Sequence, residues 1–197
     1  MSKGMLGLLP LAEVQGVMDD IEAKLAGDEG LVYLTQLKKF ARRESCWLAQ
    51  LIYPTDLNPA TFIGDGWKWA DTDADARSLA LPKVDFSKVL FETCLGKGEE
   101  RITGEEKLRR LMAAGGIRLD PRFGVTLFKE EGQMTLECLY RERGITYLDF
   151  FGRILVGQSD GRYVFYLYRD DDGRWCWRAY WLGNGWHGRA FSARLAS

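Results

Sequence analysis

The residues that could do chemistry in this chain are few and scattered. His187 is the one histidine, and it sits in a polar tail with no acid close to it in sequence. A general base or a metal ligand needs a group that orients its second nitrogen. His187 therefore reads as a surface residue; a deep pocket that also enclosed a carboxylate would be required for an enzyme. Asp71, Asp73 and Asp75 alternate like the opening of a calcium loop, but the sixth position is Ala76 and the twelfth is Pro82, so the glycine turn and the bidentate glutamate are missing. Gly96-Lys97-Gly98 lacks the further glycine spacing and the Lys-Ser/Thr of a phosphate loop and reads as a turn. Cys46, Cys94, Cys138 and Cys176 show no zinc spacing and read as reduced thiols. No nucleophile elbow or paired-acid signature is present. The expectation is a non-enzymatic protein with no metal and no cofactor.

The last segment differs from the rest. Tyr163 to Arg169 and Arg174 to Leu182 alternate as two strands joined through Asp170-Asp171-Asp172-Gly173. The parity places Trp175, Trp177 and Trp181 on one face and Arg174, Cys176, Arg178 and Tyr180 on the other. Large rings at this spacing read as a structural frame, to which Trp186 is added. The opposite face runs on into Gly183 to Phe191 and mixes Arg, Tyr, Asn and His, the types that bind by adaptable polar contacts. From Arg174 onward there are four arginines and no acid. The face reads as a surface for an anionic partner or as a solvated rim.

The elements that must carry this face follow from periodicity. With 197 residues and 46% apolar content the chain can bury a core. With 27 basic against 28 acidic residues it has no global field toward nucleic acid or membrane. Leu11, Val14, Met18, Ile21 and Leu25 recur at helical spacing, and Gly27 ends that helix. Asp28 caps a second helix through Leu31, Leu34, Leu37, Phe40 and Ala41. Its basic end, Lys38, Lys39, Arg42 and Arg43, suits the helix dipole and is also the place where a regulatory protein could contact nucleic acid. The two helices are expected to pack as a hairpin in a unit of residues 1–53. Residues 54–82, broken by Pro54, Pro59, Gly64, Gly66 and Pro82, form a linker or an ordered loop. Residues 83–197 form the sheet domain: a helix opened by the capping box Thr103-Gly104-Glu105-Glu106 and running through Ala114, then an antiparallel β-meander. The meander's strands are expected at Val125–Phe128, Met134–Tyr140, Thr146–Phe151, Tyr163–Arg169 and Arg174–Leu182. The fold class is α+β. The apolar start, Met5 to Leu11, is too short to span a bilayer, and Glu13 follows where a signal peptide needs small residues. The expected compartment is the cytoplasm.

Long strings resemble a family of uncharacterised proteins from candidate-phylum bacteria. They are Leu37 to Arg43 with Trp47, Leu79 to Pro82, Val89 to Leu95, Ile102 to Leu111, Gly144 to Gly152 and Trp175 to Ser197. Arg194 departs from the pattern, where an aliphatic residue is expected. The resemblance implies a chain whose tryptophans are kept while interleaved positions differ, as in the variable proteins of diversity-generating retroelements. Adenine-directed rewriting of their codons never yields Trp, Lys, Glu, Gln or Met, and Cys176, Ala179, Tyr180, Asn184, Gly185, His187, Gly188, Arg189 and Ala190 all comply. Those positions with Arg178 form the expected ligand-binding set. The partner would be a protein or another macromolecule. Such proteins often use a C-type-lectin fold, so a C-type-lectin-like sheet is one form the α+β class takes here.

Overall fold

The computed structural model describes residues 11–27, 30–41 and 51–196. The expectations for the apolar start, the Asp28 cap, Arg42, Arg43, Cys46 and Trp47 lie outside the described residues. By its contacts the chain divides into Met1–Cys46 and Trp47–Ser197. The first unit holds helices α1 (Leu11–Ala26) and α2 (Gly30–Ala41). Ile21, Leu25, Leu34 and Leu37 are half-buried, while Met18 and Leu31 are exposed. No helix among the described residues is long and apolar enough to cross a membrane.

The second unit is a mixed α+β layer structure. It begins at β1 (Leu51–Ile52), which pairs antiparallel with β3 (Val84–Asp85), so residues 51 and 52 belong to the sheet-bearing unit rather than to the helical one. Residues 54–82 contain α3 (Pro59–Phe62), β2 (Lys68–Trp69) and α4 (Ala76–Leu79). Asp75 caps α4 and also accepts from the Arg118 backbone N–H, and its own N–H donates to Gly152 O. Burial opposes its charge, yet hydrogen bonds from Arg77 and the Arg118 backbone hold its carboxyl below the ordinary value.

Next come β4 (Leu90–Glu92), β5 (Arg101–Thr103) and α5 (Gly104–Ala113). Helix α5 starts where the capping box predicts: Thr103 Oγ1 accepts from the Glu106 N–H at 3.2 Å. The reciprocal half of the box is replaced, because Glu106 turns to Arg109 and Arg110. Gly104 admits the helix to its place. A Cβ there would lie 2.3 Å from Trp186 Cζ3, a separation no side chain tolerates.

Two expected strands are helices. Val125–Phe128 lies in α6 (Pro121–Phe128), which follows β6 (Ile117–Arg118), and Met134–Tyr140 lies in α7 (Glu130–Arg143). The local chemistry decides it. Asp120 accepts from the Arg122 N–H at the N-cap and Pro121 presets the first turn. Gly144, at φ 65°, closes α7 in the left-handed conformation that favours glycine.

The meander is real only over β7 (Tyr147–Val156), β8 (Arg162–Arg169) and β9 (Trp175–Trp181), which pair antiparallel in turn. After β10 (Gly185–His187), which pairs with β5, the last strand β11 (Ala190–Leu195) does not extend that series. It crosses back to lie parallel to β7, between β7 and β4. The sheet is mixed, seven-stranded, and has β9 at one end of its main path.

Strand periodicity sends alternate residues to two cores. Leu148, Phe150, Phe165 and Leu167 meet Phe123 and Leu127 of α6 and Leu136 and Leu139 of α7. Phe151, Ile154 and Val164 meet Leu108 and Leu111 of α5 together with Leu182 and Trp186. Each fully buried side chain of this size contributes roughly 1.5–3 kcal/mol from area removed from water. Helix α5 covers only part of its face of the sheet, and the remaining part carries the site.

Candidate functional site: a tyrosine-walled pocket on the sheet

On the α5 side of the sheet, cross-strand rows follow from the register. Tyr147 lies opposite Tyr168, which lies opposite Cys176; Asp149 lies opposite Tyr166, which lies opposite Arg178. On the outer side of β7, Ala190 pairs with Tyr147 and Ser192 with Asp149. A pocket of about 240 Å³ opens here, lined by Tyr147, Asp149, Tyr166, Tyr180, Trp186 and His187, with Gly185 and Ala190.

Its floor is ionic. Lys107 Nζ donates to Asp149 Oδ2 at 2.8 Å and to Ala190 O at 2.7 Å, and both side chains are shut off from solvent. Trp186 Nε1 donates to the same Oδ2 at 2.9 Å. Asp149 Oδ1 has no donor among the described residues. The carboxylate is thus held in place through Oδ2 by two donors, with its other oxygen left over for something else.

The walls are aromatic. Tyr147 and Tyr166 stack at 6.4 Å between centroids, and Tyr166 meets Tyr180 at 5.8 Å and 65°. Tyr180 meets Trp186 at 4.8 Å and 72°, and His187 stands edge-on to Tyr147 at 5.8 Å and 90°. Rings joined near right angles form an enclosing wall rather than a flat stack. The hydroxyls of Tyr147, Tyr166 and Tyr180 make no hydrogen bond to the described protein. Burial pushes the Tyr166 phenol up to about 12 against the opposing pull of Arg178, so it remains a neutral donor and acceptor.

Four of the ten residues of the expected binding set line this pocket, and the other six do not. Tyr180, Gly185, His187 and Ala190 line the pocket. Cys176 and Arg178 lie on the same face, with the Arg178 guanidinium 5.3 Å from the Tyr168 ring. Gly188 and Arg189 are exposed in the turn before β11, and Asn184 is half-buried in the turn before β10. Ala179 lies on the other face, packed against the α6–α7 core beside Trp177. Of the expected frame, Trp175 and Trp186 are buried and Trp177 is half-buried, stacked at 6.0 Å on Phe165. Trp181 is 50% exposed. It ends the edge strand opposite Tyr163, and its ring lies over Gly183, beyond the reach of the core.

His187 has no carboxylate partner among the described residues. Its Nδ1 accepts from the Arg189 N–H at 3.2 Å. At the basic end of α2, Lys38 is exposed, and the Lys39 side chain, like Arg42 and Arg43, lies outside the described residues.

No motif announces Lys107, Asp149, Tyr147 or Tyr166, but the patterns around Lys107 and Asp149 carry a signal. Lys107 sits three residues after Gly104 and four before Leu111, on the buried stripe of α5. Asp149 is the one acid inside the apolar run of β7.

A larger cavity of about 500 Å³ is lined by Asn58, Thr61, Arg122 and Arg153 among others. Its arginines are already committed: Arg122 Nε and Arg153 Nε donate to the buried Asp120 at 3.0 and 2.6 Å. Arg153 also lies 3.8 Å from the Trp69 ring. That arrangement ties α6 to β7 and leaves little to offer a ligand. In comparisons with protein-family models, curated proteins and solved structures, no match was found.

Proposed function

We propose that this is a binding protein and that the tyrosine-walled pocket on β7, β8, β9 and β10 is its ligand site. The observation that carries the reading is a set of phenol hydroxyls and a carboxylate oxygen without partners among the described residues, gathered inside one aromatic enclosure. Concave aromatic sites with a few convergent polar groups are the usual form of small-ligand recognition. The C-terminal segment, Cys176 to Ala190, supplies five of the eight lining residues, which supports a displayed and variable surface. Ring-containing fragments are expected to perturb the NMR signals of Tyr147, Tyr166, Tyr180 and His187 and to lose that effect in Tyr180→Ala. Perturbations centred elsewhere would remove the reading.

A second reading is an enzyme, favoured by the presence of His187 and Asp149 in one pocket. Asp149 is bonded to Lys107 and Trp186 rather than to His187, which supports a binding site over an acid–base pair. Turnover of any substrate that vanishes in His187→Ala with binding retained would reverse that preference.

A further inference from the structure

Three arginines around the pocket have no carboxylate partner among the described residues. They are Arg178 on β9, Arg189 in the turn before β11, and Arg101, which lies opposite His187 in the β5–β10 pair. The stem of Arg101 lies over Gly185, where a Cβ would come within 2.0 Å of Arg101 Cδ, so the glycine in the pocket wall makes room for it. Of the other cations on this face, Lys107 is paired with Asp149, Arg162 with Asp73 and Glu105, and Arg174 with Asp170 and Asp172. These three guanidiniums are therefore open to an anion, although the whole chain is near neutral.

The pocket volume of about 240 Å³ falls below the roughly 300 Å³ lower bound of sites that enclose a drug-sized ligand. It holds one planar ring system and leaves what is attached to that ring outside, at the arginines. The chemistry that fits both parts is a base carried on phosphate. Aromatic walls stack a base irrespective of its identity, Asp149 Oδ1 and the free phenols take its edge, and unpaired guanidiniums take the phosphates.

We infer that the tyrosine face binds a single-stranded nucleic acid, one base entering the pocket and its flanking phosphates meeting Arg178, Arg189 and Arg101. The inference rests on the pocket being a ligand site. A duplex keeps its bases stacked and is refused. A free nucleotide shares the chemistry but forgoes the neighbouring phosphates, so it binds more weakly than a strand.

The test is fluorescence anisotropy of the full chain with labelled single-stranded DNA and RNA of about ten nucleotides. Binding is expected with a log–log salt slope of about −2, as three phosphate contacts on a single strand imply. Tyr180→Ser should weaken it about tenfold, the loss of one stacking ring. Arg178→Gln with Arg189→Gln, both at exposed positions, should flatten the slope without disturbing the fold. Absence of binding overturns the inference, as do binding indifferent to these variants, equal affinity for a mononucleotide or a duplex, and equal displacement by a sulfated oligosaccharide. If ring fragments still perturb Tyr166 and His187 while oligonucleotides fail, the nucleic-acid inference falls and the binding site stands. If both fail, the pocket is not a site.

Discussion

Lys107 and Asp149 form a 2.8 Å ion pair with side chains at 0% and 3% exposure, donated by α5 to β7 across the second core. Removing one partner of a buried pair strands the other charge, which costs roughly 3–5 kcal/mol. Lys107→Met and Asp149→Asn are each expected to lower unfolding stability by about that amount. The double variant should cost well below the sum, because the second change removes the charge that the first left alone. Urea melts of the four proteins check this, and additive losses would mean that the two groups do not sense each other.

The tryptophans of β9 make a contrasting pair. Trp175 is 7% exposed and packs in the α6–α7 core, whereas Trp181 is 50% exposed at the strand's end. Trp175→Ala is expected to cost about 3–5 kcal/mol, as large core truncations do. Trp181→Ala should stay within roughly 1 kcal/mol. Equal losses by thermal denaturation would restore Trp181 to the structural frame.

What the sequence revealed was mostly local. Thr103 and its following glutamates announced α5 because a cap acts within one turn. The parity of β8 and β9 placed Cys176, Arg178 and Tyr180 on one face because strand alternation is fixed. Val125–Phe128 and Met134–Tyr140 misled because a short apolar run suits either a strand or a buried helix. Asp120-Pro121 and Gly144 were the arbiters there. The pocket was hidden for another reason: Lys107 and Asp149 are 42 residues apart, and nothing local shows that α5 lays one on the other. The parallel return of β11 to β7, which brings Ala190 beside Tyr147, is equally non-local.

Acid should loosen the outer side of α5. Arg110 beside Glu99, and Arg109 with Arg110 beside Glu106, hold both carboxyls down at about 2. A depressed folded value means that the stabilisation is complete above the unfolded value of 4.5 and is lost as pH falls toward about 2. The stability gap between wild type and Arg110→Gln should therefore shrink over that window. High salt should shrink it as well, since the pairs are solvent-exposed and screened. A gap independent of pH would assign Arg110's contribution to packing and to its bond to Cys94 O.

Alkali should act on the pocket. The Tyr166 phenol sits at about 12 in the fold against an ordinary 10.0, chiefly because burial penalises the phenolate. Between those values the unfolded chain has given up the proton and the folded chain still holds it, so the folded state loses ground as pH rises. The contribution is intact below 10.0 and gone once pH passes the folded value. Tyr166→Phe has no proton to lose, so its stability should fall less steeply than that of wild type across this window. In the folded protein, the ultraviolet phenolate titration should show one late component that disappears in Tyr166→Phe. A wild type in which all tyrosines titrate together near the ordinary value would mean that water reaches the Tyr166 hydroxyl freely. The pocket would then be an open surface rather than the enclosure from which a base draws its stacking energy.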